Sequence, residues 1–277
     1  MGKLLEVKEL RISFRSYAGE VQAVRGVSFS VEEGEPVAIV GESGCGKSVT
    51  AKAVMGLIRP PQGEIKAGSQ ILFDGKNILE QTAKQWREYR GKDCAIVFQD
   101  ALAALNPTLT VGRQIVEKLL VHTAMTREEA KREAVRLLEQ VGIPEAGRRV
   151  KQYPHEFSGG MRQRAMIAMA LACGPDLLIA DEPTTALDVT IQAQIVKLMK
   201  DINRELNTSI IFITHDLGVV ADICQRVIVM YGGLIMEEGT VDEIFYKPRH
   251  PYTMGLLHSI PEVSSGEKTR LIPIKGT

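Results

Sequence analysis

Gly41-Glu42-Ser43-Gly44-Cys45-Gly46-Lys47-Ser48 fits the pattern GxxxxGK[ST], and its residue types are those needed to wrap a polyphosphate. Glycines let backbone amides approach phosphate oxygens, Lys47 supplies positive charge, and Ser48 offers a hydroxyl to Mg2+. Far along the chain, Leu177-Leu178-Ile179-Ala180-Asp181-Glu182 closes an apolar run with two carboxylates. Asp181 suits the metal. Glu182 is placed to polarise an attacking water, because phosphoryl transfer needs a positioned base and little covalent chemistry from the protein. Gln99 after Ala95 to Phe98, and His215 after Ile210 to Thr214, hold the same position relative to their own apolar runs. Gln99 is therefore a candidate for the metal or the water, and His215 for the edge where Glu182 emerges. Taken singly, each fits a structural polar residue equally well.

A second cluster, Phe157-Ser158-Gly159-Gly160-Met161-Arg162-Gln163-Arg164, offers a different device. Ser158 is a helix cap, and Ala165, Ala168 and Ala172 give the following helix a small-residue face, so its N-terminus is a second candidate anion site. Cys45 lies beside a helix N-terminus and Lys47, which fits a thiolate whose alkylation a bound polyphosphate would slow, and fits equally an inert small residue of the loop.

These side chains need rigid strands to present them. Val37 to Val40, Ala95 to Phe98, Leu177 to Ala180 and Ile210 to Ile213 are short uninterrupted apolar runs, as expected of a parallel sheet covered on both faces. The first part of the chain alternates instead, with Leu4, Glu6, Lys8 and Leu10, then Val27, Phe29 and Val31, predicting half-buried antiparallel strands. Val54, Leu57 and Ile58 predict a helix stopped by Pro60 and Pro61. Residues 101–157 show helical patterns and no comparable strand. There Thr126 and Glu129 form a capping box, followed by an apolar stripe of Ala134, Leu137, Leu138 and Val141 and a stop at Gly142. Val227 to Met230 and Leu234 to Met236 flank Gly232-Gly233 as a hairpin.

Composition narrows the field. The 277 residues are 44% hydrophobic and 25% charged, a globular profile. Thirty-four basic and 34 acidic side chains cancel, which disfavours nucleic acid as the main ligand. Cys45, Cys94, Cys173 and Cys224 form no CxxC pair and read as reduced thiols, hence a cytoplasmic setting. Met1 to Val7 lacks the apolar core of a signal peptide, and the longest uncharged helical run, near Ala165 to Gly174, is too short to span a bilayer. Any membrane role is expected to come through a partner.

The loop at Gly41 to Ser48, Gln99, the Phe157 to Met161 stretch, the Leu177 to Glu182 strand, Asp188 in Ala186-Leu187-Asp188, and His215 occur in the order that defines ATP-binding-cassette (ABC) ATPases, and the chain resembles that family over nearly its whole length. The resemblance implies an α/β fold, a P-loop NTPase (RecA-like) core with an antiparallel β subdomain and an inserted α-helical subdomain. It implies a nucleotide-binding domain over residues 1–255, with the helical insert at 101–157, and a C-terminal extension over 256–277. ATP and Mg2+ are the implied cofactors. Gly41, Ser43, Gly44, Cys45, Gly46, Lys47, Ser48 and Val49 would bind nucleotide, with Ser158, Gly159, Gly160, Met161 and Asp188 completing the site. Ser48, Gln99 and Asp181 would serve the metal. Glu182 would be the general base, assisted by Gln99 and the switch histidine His215. Tyr17 resembles the aromatic that stacks on adenine, with Phe14 close by as the alternative.

Phe157 and Met161 depart from the commonest signature, LSGGQ, but FSGGM also resembles the peptide-importer ATPases. Gly19 to Val27 and Lys247-Pro248-Arg249-His250-Pro251-Tyr252-Thr253 point the same way, towards oligopeptide, dipeptide or nickel uptake, with peptide favoured. Many such relatives continue into a cysteine-rich segment associated with an iron–sulfur cluster, whereas no cysteine follows Cys224 here, as in a naturally short or a truncated chain. The implied partners are two transmembrane permease subunits, a second related ATPase chain or a copy of this one, and indirectly an extracytoplasmic substrate-binding protein. The implied location is the cytoplasmic face of the cell membrane. A soluble ABC ATPase of DNA repair or translation would carry a paired cassette or a long coiled coil, and neither is present. An exporter would lack the peptide-importer stretch after Lys247, and a P-loop kinase would leave Ser158 to Gly160 unexplained.

Overall fold

The chain opens with two long strands, β1 (Lys3–Ser16) and β2 (Gly19–Glu32), whose apolar side chains are buried at alternate positions. Along β1 the buried set shifts phase, from Leu5 and Val7 to Leu10 and Ile12. Between them Glu9 takes φ 47, as a β-bulge does when it adds one residue and returns the apolar face to the core. A computed structural model describes residues 2–16, 19–185 and 187–259, which fall into two units. One is built mainly from residues 77–211, the other from 4–31, 36–76 and the residues from 212 onward.

The second of these units contains β3 (Pro36–Val40), α1 (Lys47–Val54), β4 (Gly63–Ile65) and β5 (Gln70–Phe73), with β6 (Lys76–Asn77) at its border. β1 pairs antiparallel with β5 and β4, Val7 facing Ile71 and Ile12 facing Ile65, in a sheet ordered β2-β1-β5-β6. All five side chains of β3 are buried, as its unbroken apolar run requires. α1 ends earlier than Pro60-Pro61 would dictate. Gly56 takes φ 61, its N–H reaches the Ala53 carbonyl at 2.8 Å, and the Leu57 N–H reaches the Lys52 carbonyl at 2.8 Å. That left-handed glycine closes the helix before the prolines are met.

In the other unit follow α2 (Ala83–Glu88), β7 (Cys94–Val97), α3 (Ala101–Ala104), α4 (Val111–His122), α5 (Arg127–Gln140), α6 (Ala146–Arg149), α7 (Gly159–Leu171), β8 (Leu177–Asp181) and α8 (Val189–Leu206), with β9 (Ser209–Thr214) at its border. β7 and β8 run parallel, with Cys94 facing Leu177 and Val97 facing Ala180. Residues 101–157 hold helices and no strand, as predicted. The Thr126 hydroxyl accepts the Glu129 N–H, the Glu129 carboxylate accepts the Thr126 N–H at 2.7 Å, and Gly142 takes φ 76 at the far end of α5. Ala134, Leu137 and Leu138 are buried, and such burial stabilises by roughly 1.5–3 kcal/mol per large aliphatic side chain. Lys118 of α4 donates to the Met169 and Ala170 carbonyls of α7 at 2.9 and 3.0 Å, binding these helices together at the expense of burying an ammonium whose pKa burial lowers.

The chain returns to the unit that contains β3 and α1 with α9 (Leu217–Ile223), β10 (Arg226–Tyr231), β11 (Leu234–Thr240), α10 (Val241–Tyr246) and α11 (Pro251–His258). β10 lies parallel to β3, Val229 facing Val40, and antiparallel to β11 across the predicted Gly232-Gly233 turn. The helix α11 runs across position 255. Among the described residues, no helix is long and apolar enough to cross a membrane.

Candidate functional site

β3 delivers the chain into the loop that begins at Gly41. There φ is 146, and a β-carbon would lie 2.1 Å from the Met230 carbonyl oxygen, so only glycine fits. Gly46 repeats the demand at the other end, with φ 104 and the Ala23 carbonyl 2.7 Å from where a β-carbon would stand. Ser43 and Gly44 form the exposed tip, Cys45 is buried beneath it, and Ser48 and Val49 lie in the first turn of α1. Lys47 is buried and folds back over the loop. Its Nζ donates to the Gly41 and Glu42 carbonyls at 2.7 and 2.8 Å and lies 3.8 Å from Cys45 Sγ. These partners are dipoles, so a buried ammonium is held ready beside the amides of a helix start, which is the electrostatic requirement of a phosphate site. The thiolate reading of Cys45 is not favoured. Burial pushes its pKa up and outweighs the neighbouring Lys47. His215, in the same unit, is exposed just beyond β9, before Asp216 caps α9.

In the other unit β8 ends in the two carboxylates. Asp181 is 4% exposed, and Glu182 follows with φ 49, a left-handed backbone that a glutamate adopts only where its surroundings hold it. Two donors hold its side chain on one oxygen: Gln99 Nε2 at 3.0 Å and the Thr185 hydroxyl at 2.9 Å. Gln99 and Glu182, each a candidate from the sequence, are therefore in direct contact. Thr185 was not read from the sequence, and its only signal is a hydroxyl three positions beyond the carboxylate.

The same unit carries the helix start that the sequence offers as a second candidate anion site. The Ser158 hydroxyl accepts the Met161 N–H at 3.3 Å and caps α7, while Phe157 is buried as an apolar anchor. Gly160 is buried where a β-carbon would meet Ile191 Cγ2 at 2.7 Å, so α7 and α8 approach through it, and Gly159 stays exposed. Asp188 caps α8, its carboxylate accepting the Ile191 N–H at 2.9 Å. Tyr17 lies outside the described residues. Phe14, its alternative, is half-buried with its ring edge 2.9 Å from where a Gly63 β-carbon would stand.

Comparison with known proteins places these features. Residues 24–185 match the family model described as ABC transporter. The chain belongs to the ABC transporter family. Residues 236–277 match a second model, the C-terminal region of oligopeptide/dipeptide transporters. Among relatives of this ABC chain, the oligopeptide transport ATP-binding protein OppD of Bacillus subtilis is 60% identical over 275 residues, 99% of this chain and 76% of that one. The dipeptide transport ATP-binding protein DppD of the same organism is 56% identical over 277 residues, 100% of this chain and 82% of that one. A dimeric, post-hydrolysis structure of the ATP-binding cassette MJ0796 bound to ADP and Pi aligns with TM-score 0.76 and 28% identity, covering 86% of this chain and 98% of that one. The α/β cassette fold expected from the sequence is the one observed.

Proposed function

We propose that this chain is the ATP-hydrolysing subunit of an importer for oligopeptides or dipeptides. The observation that carries the ATP reading is the loop from Gly41 to Ser48, with glycines where no β-carbon fits and a buried Lys47 laid over its carbonyls. The peptide reading is supported by the C-terminal match at 236–277 and by relatives named for oligopeptide and dipeptide transport. Lys47, with the amides of Gly44, Cys45 and Gly46, would receive the phosphates, Ser43, Ser48 and Val49 would complete the cradle, and Tyr17 would stack on the base.

Ser48, Asp181 and Gln99 supply a hydroxyl, a carboxylate and an amide, the hard oxygen donors that suit Mg2+. No cluster of three or more His, Cys, Asp or Glu side chains capable of holding a metal by themselves occurs among the described residues, in keeping with a cation that is bound together with substrate phosphates. When bound, that ion would neutralise charge on the phosphates. Glu182, steadied by Gln99 and Thr185, would orient and polarise the attacking water, with His215 assisting at the γ-phosphate. The capped helix α7, with Ser158, Gly159, Gly160 and Met161, and Asp188 at the head of α8, would close on nucleotide held by a second ATPase chain, a reading in line with the dimeric cassette that this fold matches. Two permease subunits would anchor the pair at the cytoplasmic face of the membrane and receive substrate from a binding protein.

Calorimetry with ATP and magnesium tests the core of this reading. The chain is expected to bind ATP saturably, and Lys47→Ala to weaken that binding by at least about tenfold, in keeping with loss of a charge-assisted contact. Unchanged affinity in the variant, or no binding by the unaltered chain, would refute it.

A further inference from the structure

The C-terminal region reaches back to the nucleotide loop through one side chain. Tyr252 stands in the first turn of α11, and its hydroxyl accepts the Glu42 N–H at 3.2 Å across 210 positions of sequence. The Glu42 carbonyl accepts Lys47 Nζ, so both polar groups on that residue's backbone are occupied. The ring of Tyr252 is 7% exposed and packs against Tyr231, centroids 4.5 Å apart at 42°. Beside it the Gly233 N–H donates to the Cys45 carbonyl at 3.1 Å.

The phenol is aimed from a fixed base. Glu237 of β11 accepts the backbone N–H groups of Arg249 and His250 at 2.7 and 3.0 Å, which pins the approach to α11. His250 Nδ1 then accepts the Tyr252 N–H at 3.1 Å as the helix cap, with Pro251 at the first helical position. Every link from Glu237 to Glu42 is a contact within one unit, and the links on β11 and α11 belong to the region that matches the peptide-transporter C-terminal model.

We infer that Tyr252 is a positioning residue for nucleotide: by holding the Glu42 amide it keeps the phosphate loop in its receiving shape, and α11 thereby sets the affinity for ATP. This inference rests on the ATPase reading above. The physical cause is preorganisation, since a loop already ordered before the ligand arrives spares binding the entropy of ordering it. Glu42 stands early in the loop, ahead of the amides that would face the phosphates, so the phenol shapes the loop without competing for its ligand. The hydroxyl also stays neutral at physiological pH, because burial pushes its pKa up to about 12.

Tyr252→Phe keeps the ring on Tyr231 and removes only the hydroxyl. In the full chain it is expected to raise the ATP dissociation constant about 3- to 10-fold, the range of one hydrogen bond. Turnover at saturating ATP is expected to stay within about twofold, because the chemistry is untouched. A second readout needs no nucleotide. Cys45 sits under the loop, and its alkylation by N-ethylmaleimide in the nucleotide-free variant should be faster than in the unaltered chain. Glu237→Gln, which loosens the approach to α11, should shift both readouts in the same direction and add little when combined with Tyr252→Phe. Unaltered ATP affinity together with unaltered Cys45 labelling in Tyr252→Phe would overturn the inference and leave Tyr252 a packing residue. Absence of ATP binding by the unaltered chain would sink the ATPase reading instead, and the labelling rates would still decide whether the phenol braces the loop.

Discussion

Glu182, the proposed general base, is held in one direction by its own backbone and by its neighbours. A left-handed φ of 49 and two donors on one carboxylate oxygen fix its direction before any substrate arrives. Glu182→Gln is expected to leave ATP binding intact and to slow phosphate release by roughly two to four orders of magnitude, the usual weight of a general base. Steady-state phosphate assays beside binding isotherms check this, and near-normal turnover would remove Glu182 from the role. The carboxylate was legible in the sequence because an apolar run ends on it. Thr185 was not, since a hydroxyl three residues later has no meaning until the chain turns back. Cys45 failed for a related reason. Its neighbours in sequence favour a thiolate, but burial works against the charge, and burial is set by the fold rather than by those neighbours.

Elements whose ends are governed locally were the easiest to foresee. The caps at Thr126 and Ser158 depend on a hydroxyl and a backbone N–H three residues apart, and both formed as predicted. The stop of α1 was misread because Pro60-Pro61 is the louder signal, whereas Gly56 reaches a left-handed conformation first. Contact between helices is harder to see. Gly160 matters as the place where α8 comes within 2.7 Å of a would-be β-carbon, through Ile191 Cγ2. Gly160→Ala should therefore overpack this crossing and lower unfolding stability by about 1–3 kcal/mol. Adding Ile191→Ala should restore part of the loss in urea titrations. Additive losses in the double variant would show that the crossing tolerates the extra carbon and that the glycine is kept for another reason.

At the scale of the whole molecule, several buried acids share one titration behaviour. Burial raises Cys94 to about 12 from an ordinary 9.0, and Tyr252 to about 12 from 10.0. Each folded-state value exceeds the unfolded one, so the folded chain binds these protons more tightly. The associated stability is complete below pH 9 and is lost as pH climbs towards 12. Lys118, lowered by burial, opposes the trend, and the raised acids outnumber it. Urea midpoints are expected to fall above pH 9, and Cys94→Ala to flatten part of that fall between pH 9 and 12. An equal slope in the variant would assign the alkaline loss elsewhere. The parallel runs and the helical insert could be read from apolar periodicity, but the closure of Gly41 against Met230 could not, because strand register is not written in either segment alone. The turn at Gly232-Gly233 has a practical bearing on handling the protein. Hairpin tips are usually the first choice for grafting an epitope or a fluorophore. Here the tip bonds the Cys45 carbonyl and takes the Arg25 amide, so a graft at that position would report on, and disturb, the proposed nucleotide cradle itself.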